Sequence, residues 1–482
     1  MKLTALLEAL PEVQPTGKLP GSIQALEYDS RRVAPGSLFI ALRGAKSDGH
    51  QYAAEAAQRG AVAVVAEESL ALPDTCALLR VPNSREAMAV LAAAFYGQPA
   101  HQLKLLGVTG TNGKTSVAFL LRHFLAATGN RCGMIGTVEY DLGQRVVPAS
   151  RTTPESLELQ AYLATMRDAG CEMAIMEVSS HALLQHRVRG VDFTVAGFTN
   201  LTQDHLDYHD DMEQYYSAKR RLFADHNSGT AVVNAEDHYG QRLAREFSAQ
   251  TVGELPTADL SIEVDELAQA QSRFRVEGVN FTMPLIGRHN VANAALALGM
   301  VRALGVSLED CVKPLASVAP VPGRLEPIVE GQPFAVYVDY AHTDDALRQV
   351  LSTLREITPG QLRVVFGCGG NRDAGKRQKM GAVAAALADV VMITTDNPRR
   401  EDPAAIADQI AEGCTSVGDA NWQIELDRER AFDEVLRASA PGDTVLLAGK
   451  GHETYQEIND LVQPFDDRAM ARSILTALKE TR

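Results

Sequence analysis

The chain has 482 residues, too many for a single hydrophobic core and enough for about three domains of the usual size. Its 45% hydrophobic and 22% charged content is that of a folded globular protein, and 46 basic against 61 acidic residues give a net charge of −15. This acidity excludes a broad nucleic-acid-binding or anionic-membrane surface, so an anionic substrate has to be met by local basic clusters.

Taken in chain order, the first stretch, Met1 to Pro11, carries Glu8 inside a short apolar run and has no cleavage-site pattern. No uncharged run of about 18 apolar residues follows, and a cytoplasmic protein is expected. Residues 1–100 read as a small α/β unit, with apolar strands at 37–42 and 61–65 around a helical stretch at 52–59. The breaker Tyr96-Gly97-Gln98-Pro99 closes it. Residues 103–108 then form an apolar strand that feeds a glycine-rich turn, and Val117, Leu120, Leu121, Phe124 and Leu125 fall on one face of the helix that follows. Strand and helix alternate over 101–325, including a strand at 173–178 and a helix at 291–304, which predicts a doubly wound, mainly parallel sheet. After Pro322-Gly323-Arg324 a third set, 326–482, places strands at 334–338, 362–366, 390–394 and 444–447. It reads as Rossmann-like, although Gly367-Cys368-Gly369-Gly370 alone is weak evidence for NAD. The fold class is therefore α/β in three domains, 1–100, 101–325 and 326–482. Six scattered cysteines, Cys76, Cys132, Cys171, Cys311, Cys368 and Cys414, form no CxxC pair and argue against zinc and against a disulfide framework.

The turn Gly110-Thr111-Asn112-Gly113-Lys114-Thr115-Ser116 carries the clearest chemistry. Glycines let backbone N–H groups converge on phosphate oxygens, and the helix N-terminus adds roughly half a positive charge. Lys114 can reach the outer phosphates of ATP, and the Thr115 hydroxyl can hold magnesium. The longer form of this pattern has glycine where this chain has Val108, so the loop is a shorter variant. Glu177 lies where a buried strand ends, the edge at which open α/β sheets place ligands, and its carboxylate can bind magnesium beside ATP; His205 is a candidate second ligand. His181, His186 and His209 read as surface or satisfied buried histidines. Lys219, next to Arg220 and Arg221, reads on residues alone as a solvent-facing helix lysine.

Several stretches taken together resemble the Mur ligase family over nearly the full chain. They are Met176-Glu177-Val178-Ser179-Ser180-His181, Gln185-His186-Arg187, the run from Asn200 to His209, Ser217-Ala218-Lys219-Arg220, the run from Gly287 to Asn293, Asp339-Tyr340-Ala341-His342 and Asp396-Asn397-Pro398-Arg399. The resemblance implies an ATP-dependent amide ligase of peptidoglycan precursor synthesis that adds meso-diaminopimelate to the D-Glu side-chain carboxylate of UDP-MurNAc-L-Ala-D-Glu. It implies N-carboxylation of Lys219 by carbon dioxide, which turns a cation beside Mg²⁺ into an anion, with Thr115, Glu177, His205 and Lys219 around the metal. It assigns Asn290 to adenine, with Arg324 and Asp339 near phosphate and ribose and His342 stacking nearby. It assigns Ser30 and Lys46 to the UDP part, and Thr152, Thr153, Ser179, Gln185 and Arg187 to the muramoyl-dipeptide part. One departure stands out: Asp344 replaces a common proline, and a changed turn is expected there.

Specificity for the incoming amino acid falls, on the same resemblance, to Arg372, Asp396, Asn397, Pro398, Arg399, Gly449 and Glu453. Diaminopimelate differs from lysine by one carboxylate at its far end, which a planar guanidinium at Arg399 can grip with two parallel hydrogen bonds, while Glu453 can take the ammonium. A site built this way rejects the analogue lacking the group by roughly 10⁴-fold. The implied mechanism is phosphorylation of the D-Glu carboxylate, oriented by Lys114 and Thr115, and attack of the amine on the acyl phosphate. The third domain is expected to close on ATP about Val321-Pro322-Gly323, in a chain acting as a monomer without stable membrane association. The rivals are a lysine-adding muramyl ligase, a folylpolyglutamate synthetase, and a nucleotide-driven switch with no amino-acid acceptor.

Overall fold

Three sheets follow one another along the chain. The computed structural model describes every residue except 11, 45, 46, 205–207, 419, 481 and 482, and the side chain of 480. The first sheet has five strands in the order Gln14–Thr16, Ala77–Arg80, Ala63–Ala66, Ser37–Ile40 and Ala25–Glu27, parallel except for the first pair. The helix Ser84–Phe95 covers one face because Ala87, Met88, Leu91 and Ala92 recur at helical spacing and are buried there.

The second sheet has eleven strands, with Lys104–Thr109 near its middle between Phe193–Phe198 and Met173–Glu177. From Leu260–Leu267 across to Cys132–Ile135 every neighbouring pair is parallel. Both ends, however, are antiparallel meanders, Leu260–Leu267/Ser272–Val276/Val279–Met283 and Cys132–Ile135/Glu139–Asp141/Val146–Pro148. One core, under the helices Lys114–Ala127 and Arg288–Arg302, contains Val117, Leu121, Phe124, Ala294 and Leu298; another, on the opposite face, contains Leu159, Leu163, Tyr215, Leu222 and Leu243. Burial on both faces is what a parallel sheet requires, and it explains the nearly unbroken apolar runs of its central strands.

The third sheet has six strands in the order Glu326–Pro327, Ala335–Asp339, Thr444–Ala448, Leu362–Phe366, Val390–Ile393 and Trp422–Ile424, parallel after the first pair. A separate hairpin, Tyr455–Ile458 and Leu461–Pro464, follows it. Among the described residues no helix is long and apolar enough to cross a membrane. All six cysteines are free thiols.

Candidate active site

The strand Lys104–Thr109 delivers residues 110–113 to its carboxyl edge, and the helix Lys114–Ala127 starts at once. Gly110 and Gly113 have φ of +148° and +85°, and a Cβ there would fall on Thr199 Oγ1 and Asn293 Oδ1 respectively. Val108 is fully buried in the core, so the departure from the longer loop pattern supplies packing before the turn begins. Lys114 Nζ donates to the carbonyls of Gly110 (2.9 Å) and Thr111 (2.8 Å). Lys219, from the helix Met212–Asp225, donates to the same Gly110 carbonyl at 2.7 Å. Only 2% exposed, Lys219 is not the solvent-facing lysine that its neighbours Arg220 and Arg221 suggest; it lies among the buried residues Tyr215, Tyr216, Ala218, Leu222 and Phe223 of its helix. Burial, with the charge of Lys114 beside it, pushes its amine well below the ordinary lysine value.

Glu177 is fully buried at the end of its strand. One oxygen accepts from Thr137 N at 2.8 Å, and the other from Thr115 Oγ1 and Thr137 Oγ1, both at 3.0 Å. A hydroxyl and a carboxylate in contact at the phosphate loop are hard oxygen donors of the kind magnesium takes, so these two residues fit that ion. Among the described residues no three His, Cys, Asp or Glu side chains form a ligand cluster. His205 lies outside the described residues.

A cavity of about 280 Å³ opens over the loop and brings together Thr111, Asn112, Gly113, Lys114, Thr115, Ser116, Glu177, Asn290, Arg324, Asp339 and His342. Asn290 Nδ2 donates to Ile286 O at 2.9 Å, which fixes its amide at the start of its helix. Asp339 accepts from Leu325 N and Ala341 N, each at 2.7 Å, and burial raises its pKa. Arg324 lies over the Tyr340 ring at 4.8 Å, and its buried Nε has no hydrogen-bond partner among the described residues, which leaves a donor for a ligand. Burial pushes His342 and His289 down to about 4, so both are neutral at physiological pH.

A second cavity, of about 480 Å³, shares Asp204, Tyr340, His342 and Thr343 with the first. Arg372, Asp396, Asn397, Arg399, Gly449 and Glu453 line it; Pro398 does not. Its carbonyl instead packs against Gly370, where any side chain would collide. Glu453 Oε2 accepts from Asn397 Nδ2 at 2.9 Å and from the fully buried Lys450 Nζ at 3.3 Å.

Thr152, Thr153, Ser179, Gln185 and Arg187 form one network beside Glu177. Thr152 Oγ1 is 3.0 Å from Thr137 Oγ1, and Thr153 Oγ1 donates to Glu177 O at 2.8 Å and accepts from Ser179 N at 3.1 Å. Arg187 donates to Thr153 O at 2.8 Å and to Gln185 Oε1 at 2.7 Å. Ser30 is buried in the first unit, in the short helix Ser30–Arg32. Lys46 lies outside the described residues.

Models of Mur ligase domains match almost end to end: the Mur ligase family catalytic domain over residues 22–96, the Mur ligase middle domain over 108–301, and the Mur ligase glutamate ligase domain over 323–451. The chain is 46% identical to the UDP-N-acetylmuramoyl-L-alanyl-D-glutamate–2,6-diaminopimelate ligase of Geobacillus thermodenitrificans, covering 100% of both chains. It is 45% identical to the ligase of the same name from Solibacter usitatus, over 94% of this chain and 93% of that one. This protein belongs to the Mur ligase family. A solved structure of a UDP-N-acetylmuramoyl-L-alanyl-D-glutamate–2,6-diaminopimelate ligase superposes with a TM-score of 0.67 at 33% identity, covering 95% of each chain.

Within this Mur ligase, several residues near the cavities carry no local sequence signal. Thr137 holds both oxygens of Glu177 from 40 residues away. Asp345 accepts from Thr202 Oγ1 at 2.7 Å and Asn112 Nδ2 at 3.3 Å, tying the third domain to the phosphate loop. The expected change of turn at Asp344 is not needed. Thr343 caps the helix Asp344–Ile357 through Ala346 N, and Asp344 takes the first helical position, which suits proline and an acid equally.

Proposed function

We propose that this chain is an ATP-dependent ligase that joins meso-diaminopimelate to the D-Glu side-chain carboxylate of UDP-MurNAc-L-Ala-D-Glu, in the cytoplasm, during peptidoglycan precursor synthesis. The observation that carries this reading is the shared wall: a phosphate-loop cavity and an arginine-lined cavity meet at Asp204, Tyr340, His342 and Thr343. An acyl phosphate made in the first is thereby presented to an amine held in the second. The names borne by relatives of 46% and 45% identity agree with this chemistry.

Lys114 exchanges its loop carbonyls for the γ-phosphate of ATP and orients it toward the substrate carboxylate. A carboxylate oxygen attacks phosphorus, ADP leaves, and the D-Glu carbonyl becomes electrophilic. The diaminopimelate amine, placed by Arg399, Arg372 and Glu453, adds to that carbonyl and expels phosphate. Thr115 and Glu177, with His205, would hold magnesium, which when bound offsets phosphate charge. The Lys219 amine, whose burial favours the neutral, nucleophilic form over the ammonium, adds to carbon dioxide and loses a proton, giving a carbamate anion. Thr152, Thr153, Ser179, Gln185 and Arg187 hold the muramoyl-dipeptide, and Ser30 and Lys46 the uridine nucleotide. The three units thus divide as UDP-sugar (1–100), ATP (101–325) and amino-acid (326–482) domains, the last closing about Val321-Pro322-Gly323.

The test is a purified-protein reaction with ATP, UDP-MurNAc-L-Ala-D-Glu labelled with heavy oxygen in the D-Glu carboxylate, and either meso-diaminopimelate or L-lysine. The expected result is tripeptide from diaminopimelate with one labelled oxygen in the released phosphate. Unlabelled phosphate would defeat the acyl-phosphate step, and equal yields from the two amino acids would defeat the assignment of the second cavity.

A further inference from the structure

The hairpin Tyr455–Ile458/Leu461–Pro464 forms a two-stranded sheet of its own and closes over the segment that carries Arg399. Gln456 Nε2 donates to Asp396 O at 2.8 Å, and Glu457 N donates to Asn397 Oδ1 at 2.9 Å. Arg399 itself has φ of +53°, a left-handed conformation that a side-chain-bearing residue keeps only when its surroundings over-determine it. Here both of its backbone groups are taken by the hairpin: Arg399 N donates to Glu457 O at 3.0 Å, and Asn459 N donates to Arg399 O at 2.7 Å. The side chain is fixed by the same residue, with Nε donating to Glu457 Oε2 at 3.1 Å while Nη1 donates to Gly370 O at 2.8 Å.

These contacts decide which part of the guanidinium is left for a ligand. Glu457 occupies the Nε side, and Nη2 makes neither bond, so the end of the fork remains for a carboxylate in the cavity that Arg399 lines. We propose that Glu457 is a positioning residue that sets amino-acid selectivity, holding Arg399 so that the end of its guanidinium meets the far carboxylate of diaminopimelate. The proposal rests on the reading of the second cavity given above. Two effects of removing Glu457 oppose each other: Arg399 gains unneutralised charge, which favours an anion, and loses its fixed orientation, which disfavours a bidentate grip. Orientation wins, because Glu457 does not compete for the end of the fork and because the pair is partly sheltered, with side chains 21% and 28% exposed.

Full-length wild type, Glu457→Gln and Glu457→Ala are compared for kcat and KM with meso-diaminopimelate and with L-lysine, at saturating ATP and UDP-MurNAc-L-Ala-D-Glu. In Glu457→Ala the KM for diaminopimelate should rise about 10-fold with kcat within about twofold, as for loss of one charge-assisted contact. The kcat/KM for lysine, which lacks the far carboxylate, should not change, so the preference falls by the same factor. Glu457→Gln keeps a neutral acceptor and should fall about threefold. Denaturant midpoints identify any variant that does not fold; if Glu457→Ala fails, Glu457→Gln decides by the same ratio. An unchanged preference in a folded variant, or equal losses with both amino acids, overturns the proposal while leaving the cavity reading intact. A wild type that uses both amino acids equally overturns the cavity reading, and this proposal with it.

Discussion

The phosphate-loop side of the first cavity is held by the central sheet and its backbone, whereas the arginine-lined cavity beside it rests on contacts among separate segments of the third domain. Lys114 and Lys219 both rest on the Gly110 carbonyl, and Glu177 sits fully buried at a strand end. Arg399, Asn397 and Glu453, by contrast, depend on Glu457, Lys450 and Gly370, contributed by three separate segments. Energy capture requires the same geometry whatever amine arrives, so it can be fixed by the backbone. Selectivity requires a pocket matched to one amine, and side chains supported by other side chains can be retuned without disturbing the sheet.

The sharpest way to break this comparison is Lys114→Ala. Removing the lysine proposed to exchange its loop carbonyls for the γ-phosphate should lower kcat about 10³-fold, and equally so with any amine acceptor. ATP-dependent phosphate release, measured with diaminopimelate and with lysine, checks both halves. A loss confined to one acceptor would show that the two cavities are not separable in this way.

Next in size is a variant of a residue that lines neither cavity but supports one of them from behind. Arg428 and Asp467 form a fully buried ion pair, with Nε 2.8 Å from Oδ1, and Arg428 also donates to Ala448 O at 3.1 Å and Thr395 O at 3.4 Å. It thus joins the two strand ends that lead to Gly449 and Asp396. Arg428→Met strands the Asp467 charge and should cost about 3 kcal/mol or more of stability, read as a lower urea midpoint. Replacing both partners with apolar residues should recover much of that loss.

How far these features were legible in the sequence follows from how locally each is encoded. The phosphate loop is a contiguous run whose glycines, lysine and helix start are read together, and Glu177 follows from a buried strand ending in an acid. Arg399 is legible as chemistry, since a guanidinium suits a carboxylate, but its left-handed backbone is not; that conformation comes from a hairpin 58 residues further on. Thr137 and Asp345 are silent for the same reason, the latter meeting Asn112 across 233 positions. A mainly parallel sheet is legible, but which of its ends turn antiparallel is not. Strand direction is set by which edge a segment reaches, and periodicity reports only which face it buries.

A direct probe of the second cavity is Arg399→Ala. Losing a two-bond grip on a carboxylate should lower kcat/KM for diaminopimelate about 10²-fold while leaving lysine nearly untouched. Steady-state kinetics with the two amino acids reads the difference. A parallel loss for lysine would mean that Arg399 supports the whole pocket and does not recognise one end of the ligand.

The smallest effect expected is one of pH, and it belongs to the side-chain-supported cavity. Burial raises the pKa of Glu453, with nearby Asp396 adding to the effect and Lys450 opposing it. As pH falls through that raised value, Glu453 takes up a proton before an ordinary glutamate would and loses its attraction for the diaminopimelate ammonium. KM for diaminopimelate should therefore rise on the acid side, by about fivefold given the partial exposure of the pair. In Glu453→Gln, KM should be high at every pH and this acid limb should disappear. A limb that persists in the variant would move the titration to another group and leave Glu453 as a neutral hydrogen-bond acceptor for Asn397.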